Sequence, residues 1–450
     1  MAEFEIETCR GVDEGSSSTS APVSTTTNST LEVRVDPRTE PKPPKRRIER
    51  VPLTMRRDER TKGYFDPRVV SIGPYHHGKK ELQMAERIKP IVAELFISRS
   101  GRSMDEFRKN VLEIVDDARS CYIEGSTDVY SDKEFAEMML LDGLFVSAFI
   151  EYTTPGYGDD TFQYQLTEHL GQHDLYLVTG DIMHLLENQF PLQVLELLMS
   201  LKSKHYKLTG MLDKMLHRWE SQESTRQDKR IDDTKQPIHF LEYFWLWQNS
   251  QSIQTRRTST RHTSDYFYSF KSVAELKAKG IYARRGSDFN HRDFKFKSFF
   301  FFAVLEIPPI IFSHRSFIYL SNHIAYEWTP HNPNNLPTMA FVNFMKSLIN
   351  TTDDVKELRA RTILFSSYTS DEEVVQLFNK IPTFGLEDFS IYDEVKHRIH
   401  EHYNNKVKTW FAELIHNYFC SPWTFIAFVV AAALIIMSFL QTYFTISPHN

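Results

Sequence analysis

Between about Arg50 and Phe419 the apolar positions recur at three- and four-residue intervals, the period of helices that bury one face. Ser103-Met-Asp-Glu106 has the form of a capping box. It opens a segment that places Phe107, Val111, Ile114, Ala118 and Tyr122 on one side. Ser131-Asp-Lys-Glu134 starts a second helix running through Met138 to Phe145. Asp181 leads a third, which Pro191 breaks or kinks before Leu192 to Leu201 resumes. Ser370-Asp-Glu-Glu373 caps another, Asp353 is placed as a helix cap, and Tyr392 to Phe419 reads as one long helix. Pro90 is expected to interrupt the helix after Leu82-Gln-Met84. Strand-like alternation is confined to Gly280–Arg284, Asp293–Lys297 and Phe301–Ile307, ended by Pro308-Pro309. Polar stretches at Ser221–Lys235 and Ser250–Ser264 predict exposed loops. The expected fold class is mainly α: a large helical domain with a small β hairpin or sheet insertion, plus one C-terminal transmembrane helix.

The two ends differ sharply. Met1 to Glu14 holds five acidic residues and no apolar run, which fits neither a secretory nor a transit peptide. Ser16 to Thr30 is Ser or Thr at eleven of fifteen positions, so it has little to bury and is expected to be disordered. Pro41 to Arg47 is a proline-stiffened basic linker, read as a nuclear import signal, an anionic-lipid contact or simply solvated chain. At the other end no Asp, Glu, Lys or Arg follows Glu413. Pro422 to Phe444 is almost pure hydrocarbon, and at roughly 33 Å it is long enough for a ~30 Å bilayer core. Trp423 and Tyr443 sit where interfacial aromatics anchor a span. Cys420 lies where palmitoylation occurs. Lys396, Arg398, Lys406 and Lys408 precede the span and none follows, which predicts a cytosolic N-terminal portion and a tail anchor in the plasma membrane or an endomembrane. The expected organisation is a tail over 1–49, a helical domain over 50–419, a span over 422–444 and a short tail over 445–450.

Composition narrows the chemistry. Sixteen glycines against 34 phenylalanines argue against folds built on glycine-rich phosphate loops. A net charge of −6 disfavours nucleic acid as a partner, because nothing global neutralises phosphates. Three scattered cysteines make neither a disulfide framework nor a cysteine zinc site. No phosphate cradle, nucleophile elbow, His-Glu-x-x-His or Cys-x-x-Cys occurs.

A resemblance then becomes specific. Val51-Pro-Leu and Tyr64-Phe-Asp-Pro-Arg-Val-Val-Ser-Ile-Gly-Pro-Tyr-His-His-Gly78 resemble the opening signature of the plant domain of unknown function 247, also called uncharacterised protein family 0481. Met138-Met-Leu-Leu-Asp142-Gly143, Asp181-Ile-Met-His-Leu-Leu-Glu187-Asn188-Gln189, Ala274-Glu-Leu276, Leu305-Glu-Ile-Pro308, Ile324-Ala-Tyr-Glu327 and Leu348 to Val355 continue it in family order. The Phe299 to Phe302 run is unusually aromatic for the family, and Trp328 stands where glutamine is common. The resemblance implies no established catalysis. Some grass members are linked to pollen-side self-incompatibility, a recognition role that does not extend to the whole family.

Two side-chain groups have chemical potential. Gly73-Pro74-Tyr75-His76-His77-Gly78 places adjacent imidazoles at a turn, able to bind a metal or move a proton, although adjacent side chains there point apart and bond locally. His397, His400, Glu401 and His402 permit a metal on one helical face, or form a solvated face. Glu187, Asn188, Gln189 and Asp142 suit a buried polar network or a partner site. No cofactor is expected. The leading expectation is a membrane-anchored recognition or scaffolding protein with an unidentified protein partner, in signalling or reproductive self-recognition. The alternative is a hydrolase or transferase using Tyr75–Gly78, and a membrane-remodelling role is a third. Asn28 and Asn350 head glycosylation acceptor patterns that are modified only if lumenal.

Overall fold

Local caps decide where several helices begin. Ser103 and Ser370 accept from the amides of Glu106 and Glu373, Ser131, Ser272 and Ser313 each form full capping boxes, and Thr351 donates its amide and hydroxyl to Asp354. The computed structural model describes residues 46–157, 167–168, 171–220, 231, 236–249, 271–287, 290–300, 302–330, 332, 336–368, 370–383, 391–405 and 422–446. Asn28, Cys420, the tail before Arg46 and most of both long polar stretches lie outside them.

The described chain is mostly helical, with small strand sheets and one long apolar helix near its C-terminus. In order come α1 (Leu53–Arg56), α2 (Gln83–Ser98), α3 (Met104–Glu113), α4 (Val115–Ser120), α5 (Asp132–Thr153), α6 (Gln172–His184) and α7 (Leu192–Lys202). Next are α8 (Leu208–Glu220), α9 (Phe240–Asn249), α10 (Val273–Ala278), β1 (Ile281–Arg285), β2 (Lys295–Ser298), β3 (Ala303–Ile307) and β4 (Ile310–Phe312). The chain continues through α11 (His314–Glu327), α12 (Pro337–Leu348), α13 (Thr352–Ala360), β5 (Leu364–Ser366), α14 (Asp371–Lys380), α15 (Asp393–Asn404) and α16 (Pro422–Ile446).

Buried apolar residues form two clusters. The first is helical and centres on α5, which packs against α2, α3, α7 and α8 and is buried almost all round from Met138 to Glu151. The second joins the three-stranded sheet to α10–α15. Helix α9 serves both: Phe240, Tyr243 and Trp247 enter the first cluster, Leu241 and Trp245 the second. The N-terminal segment also stitches them, since Ile48, Val70 and Ile72 join the first while Val51, Met55 and Phe65 join the second. Ile48 is fully buried and bridges to Tyr122, so packed chain begins before residue 50.

Several sequence expectations are corrected. Pro90 lies inside α2 without ending it; Pro90 is exposed while Ala85, Ile88, Val92 and Phe96 hold the opposite face, so the lost hydrogen bond falls on the solvent side. Asp181 sits in the last turn of α6, not at a helix start. Thr351, with Asp354, caps α13; Asp353 is exposed in its first turn. The face from Phe107 to Tyr122 is split between α3 and α4. Helix α15 runs from Asp393 to Asn404 and Asn405 is extended, so the helix expected from Tyr392 is interrupted there; positions 406–419 lie outside the described residues. Strands β1 and β3 pair in parallel, with β2 antiparallel on the other side of β3. Beyond Pro308-Pro309 a further strand, β4, pairs in parallel with β5, a partner reached only through α11–α13.

A close packing contact is made at Gly143 in α5. A Cβ there meets the Leu198 side chain and, at 2.9 Å, Phe190 Cζ. In α6, Gly180 has nothing within 4 Å of the same position. Gly143→Ala is therefore expected to cost about 1–3 kcal/mol through overpacking. Gly180→Ala should be neutral or stabilising by up to ~1 kcal/mol. Urea unfolding of both variants checks the contrast, and equal effects would contradict the packing at α5.

Candidate functional site

The signature residues converge on one irregular segment, 66–78, buried against α2, α5 and the α6–α7 turn. Its backbone has no ladder partner, so side chains take its amides. The Asp181 carboxylate accepts from the amides of Arg68, Val69 and Val70 at 2.7 to 3.1 Å. Asn188 imitates a neighbouring strand: its Oδ1 accepts from the Ile72 amide at 2.7 Å and its Nδ2 donates to the Val70 carbonyl at 3.0 Å. Asp142 accepts from the Gly73 amide at 2.8 Å. Gly73 has φ +75°, and a Cβ there would lie 2.7 Å from the Tyr122 hydroxyl and 2.9 Å from the Gln189 carbonyl, so only glycine fits. Gln189 donates to the carbonyls of Ile182 and Leu185 and accepts from the Leu241 amide, fastening the turn to α9.

A buried ion pair supports this frame. Lys89 is fully buried and donates to Asp142 at 2.5 Å, Glu86 at 2.6 Å and the Ser71 carbonyl at 2.8 Å, using all three of its hydrogens. Burial works against its charge, but the two carboxylates outweigh burial and hold the ammonium above its ordinary range.

At the outer edge His76 is buried between Asp66 and Glu187, each 3.7 Å from one ring nitrogen. Among the described residues neither nitrogen makes a hydrogen bond. Glu187 is already engaged by the Val51 amide at 2.8 Å and by Arg56. Asp66 is held by Arg56 and Lys79, both at 3.0 Å. Burial, reinforced by Lys79, depresses the imidazole to about 3, so it is neutral near pH 7. His77 turns the other way, exposed and 4.0 Å from Glu86. The Tyr75 hydroxyl donates to the Ile48 carbonyl, the Pro74 carbonyl accepts from Tyr130, and Gly78 is exposed. The adjacent imidazoles thus do not face one another, and the local bonding expected of His76 is absent because its neighbours are saturated by other donors.

The second candidate group is also dispersed. His397 lies 3.7 Å from Glu401, His400 contacts Asn404, and buried His402 turns to Ser298 at 3.0 Å. Among the described residues no three His, Cys, Asp or Glu side chains are placed to hold a metal ion. Asn350 is exposed at the start of α13. Trp423 and Tyr443 are exposed on α16. A cleft of about 480 Å³ between α7, α8 and α9, lined by Arg46, Cys121, Asp213 and Tyr243 among others, contains none of these candidates.

Sequence reasoning missed Arg56, Asp66, Glu86, Lys89 and Tyr122. One signal was available: Lys89 stands four residues from both Ala85 and Ala93 on an otherwise apolar face, where a cation needs a buried counter-charge.

Two predictions follow from these charges. Lys89→Met, leaving Asp142 buried and unpaired, is expected to cost about 3–5 kcal/mol in denaturant unfolding. Lys89→Met with Asp142→Leu should recover part of it, and additive losses would contradict a direct pair. The His76 pKa lies below its unfolded value, so its contribution is complete above pH 6.5 and is lost as pH falls toward about 3. Glu327, raised by burial to about 7, works in the opposite sense, losing its contribution as pH rises through that value. His76→Asn should therefore flatten the acid limb, removing about 2–3 kcal/mol of the stability change between pH 6.5 and about 4.5. Thermal unfolding over that range tests this, and an acid limb as steep in His76→Asn as in the parent chain would contradict it.

Comparison with known proteins matches this frame to a family. A protein named UPF0481 protein At3g47200, from Arabidopsis thaliana, is 26% identical over 418 residues, covering 84% of this chain and 82% of the relative. A second UPF0481 protein of that plant, At3g02645, is 25% identical over 125 residues, 28% of this chain and 23% of its own. No solved structure matches. The family model described as a plant protein of unknown function, DUF247, spans residues 48–437, from the bridge at Ile48 through every element of the polar frame into α16, and the chain belongs to that family.

Proposed function

We propose that this chain is a membrane-anchored, non-enzymatic recognition or scaffolding protein, whose helical domain holds a protein partner at a plasma-membrane or endomembrane surface. The observation that carries this reading is α16. Its stretch Ile426–Ile446, 21 residues with none of it buried, is long and apolar enough to cross a bilayer. Trp423 and Tyr443 near its ends suit the two interfaces. The signature residues support the non-enzymatic part, because Asp142, Asp181, Asn188 and Gln189 are spent on backbone groups. The four Lys and Arg before the span and none after it favour a cytosolic domain. Recognition in signalling or self-incompatibility is a finer reading that rests on the resemblance alone.

One observation favours a hydrolase or transferase at Tyr75–Gly78: the buried, neutral His76 with two hydrogen-bond-free nitrogens. Such an imidazole needs a hydroxyl, thiol or water to act on, and among the described residues no hydroxyl or thiol bonds to it.

Truncation before Pro422 should release the protein from the membrane fraction. A truncated chain that still pellets after carbonate washing would overturn the anchor. The scaffold reading expects a stoichiometric partner to co-purify with the full chain from detergent-solubilised membranes; a chain that purifies alone after crosslinking in its own tissue would count against it. Sidedness has its own reporter. Asn350 is exposed and Asn28 lies in the polar tail, so a lumenal domain would offer both acceptors. Expression in plant cells should give no endoglycosidase-sensitive shift, and a shift lost on Asn28→Gln or Asn350→Gln would move the domain outside the cytosol.

A further inference from the structure

The β2–β3 hairpin carries the most concentrated aromatic exposure on the described domain. Four phenylalanines follow one another at 299–302, and Phe299, Phe300 and Phe302 are described at its tip. The Phe299 amide donates to the Phe302 carbonyl at 2.8 Å, closing a tight turn, and their rings stack at 4.8 Å. Phe299, Phe300 and Phe302 are 48%, 72% and 41% exposed. Exposed apolar residues scattered singly need no explanation, but a cluster does.

The neighbour of this tip gives the explanation. Helix α15 packs along β2, with Arg398 over the Phe296 ring and His402 beside Phe296. The C-terminal turn of α15 lies at the tip end of the hairpin, where His402 Nδ1 meets the hydroxyl of Ser298, the residue before Phe299, at 3.0 Å. Helix α15 therefore ends at Asn404 beside the phenylalanines, and the next described residues after Asn405 are those of α16 from Pro422. Lys406 and Lys408 follow in the sequence and carry charge suited to an anionic surface.

We infer that the Phe299–Phe302 tip enters the interfacial layer of the bilayer that α16 crosses, as a second contact that fixes how the domain stands on the membrane. The inference rests on the anchor reading of α16. A short aromatic element of this kind inserts its rings at the headgroup–acyl boundary while its backbone bonds remain closed within the turn. Insertion of the tip gives the domain a second attachment to the bilayer besides α16.

The test uses the full chain carrying Cys9→Ser, Cys420→Ser and Phe300→Cys, labelled with an environment-sensitive fluorophore and reconstituted in phosphatidylcholine–phosphatidylserine vesicles. A matching chain labelled at Val129→Cys, an exposed loop position on the first core, is the control. Shallow nitroxide-labelled lipid should quench the probe at 300 about twofold more than the probe at 129, as expected for a group ~5–10 Å into the interface. Carbonate extraction of the reconstituted chain would overturn the anchor and this inference together. A carbonate-resistant chain whose probe at 300 stays in water would overturn the tip contact alone. A probe shielded from water but untouched by the nitroxide would also overturn it, placing the tip against protein, a second copy included.

Discussion

The fold hangs on a backbone that makes no ladder. Residues 70–73 run buried through the junction of both cores, and each amide left there without an acceptor would cost about 1–3 kcal/mol. Asp181, Asn188 and Asp142 supply the acceptors. That requirement places three elements at once, because the first two side chains come from the end of α6 and the turn after it, and the third from the middle of α5. Burying Asp142 then requires a cation, which brings Lys89 and with it α2. A carboxylate in the last turn of a helix opposes the helix dipole, and at Asp181 three amides offset that cost.

The same accounting explains why a signature rich in Asp, Glu, Asn, Gln and His is, among the described residues, mostly engaged in holding backbone groups and cations. Chemistry needs polar atoms held in place yet still available. Here Gln189 spends both ends of its amide on carbonyls and an amide, Lys89 spends all three hydrogens, and Glu187 is shared by Val51 and Arg56. His76 differs, but its neighbouring carboxylates are committed to cations, and burial keeps it neutral. Rigid networks of this kind specify one packing of two cores, which suits a body that presents a surface.

Much of the fold was legible in the sequence because its determinants are local. Ser103, Ser131 and Ser370 cap helices through groups three residues away, and the three strands of the first sheet carry their own alternation. Asp142, Glu187, Asn188 and Gln189 stood out as polar residues in apolar text, which is the mark of buried groups with partners. Their partners were not legible, since Gly73 is 69 residues from Asp142 and Ile72 is 116 from Asn188. Pro90 misled for a related reason: proline's cost depends on which face it occupies, and that face is set by what α2 packs against.

The sequence by itself therefore determined the helix starts at Ser103, Ser131 and Ser370, the apolar helix Ile426–Ile446 and the identity of the residues that must be satisfied when buried, because caps, periodicity and hydrophobicity act over a turn or along one segment. Only the tertiary structure decided that α9 divides its faces between two cores, that β4 finds β5 across three helices, and that His76 and His77 part company. These depend on contacts between groups distant in sequence, where the free energy of one backbone amide is met by whichever side chain the whole fold brings within 3 Å.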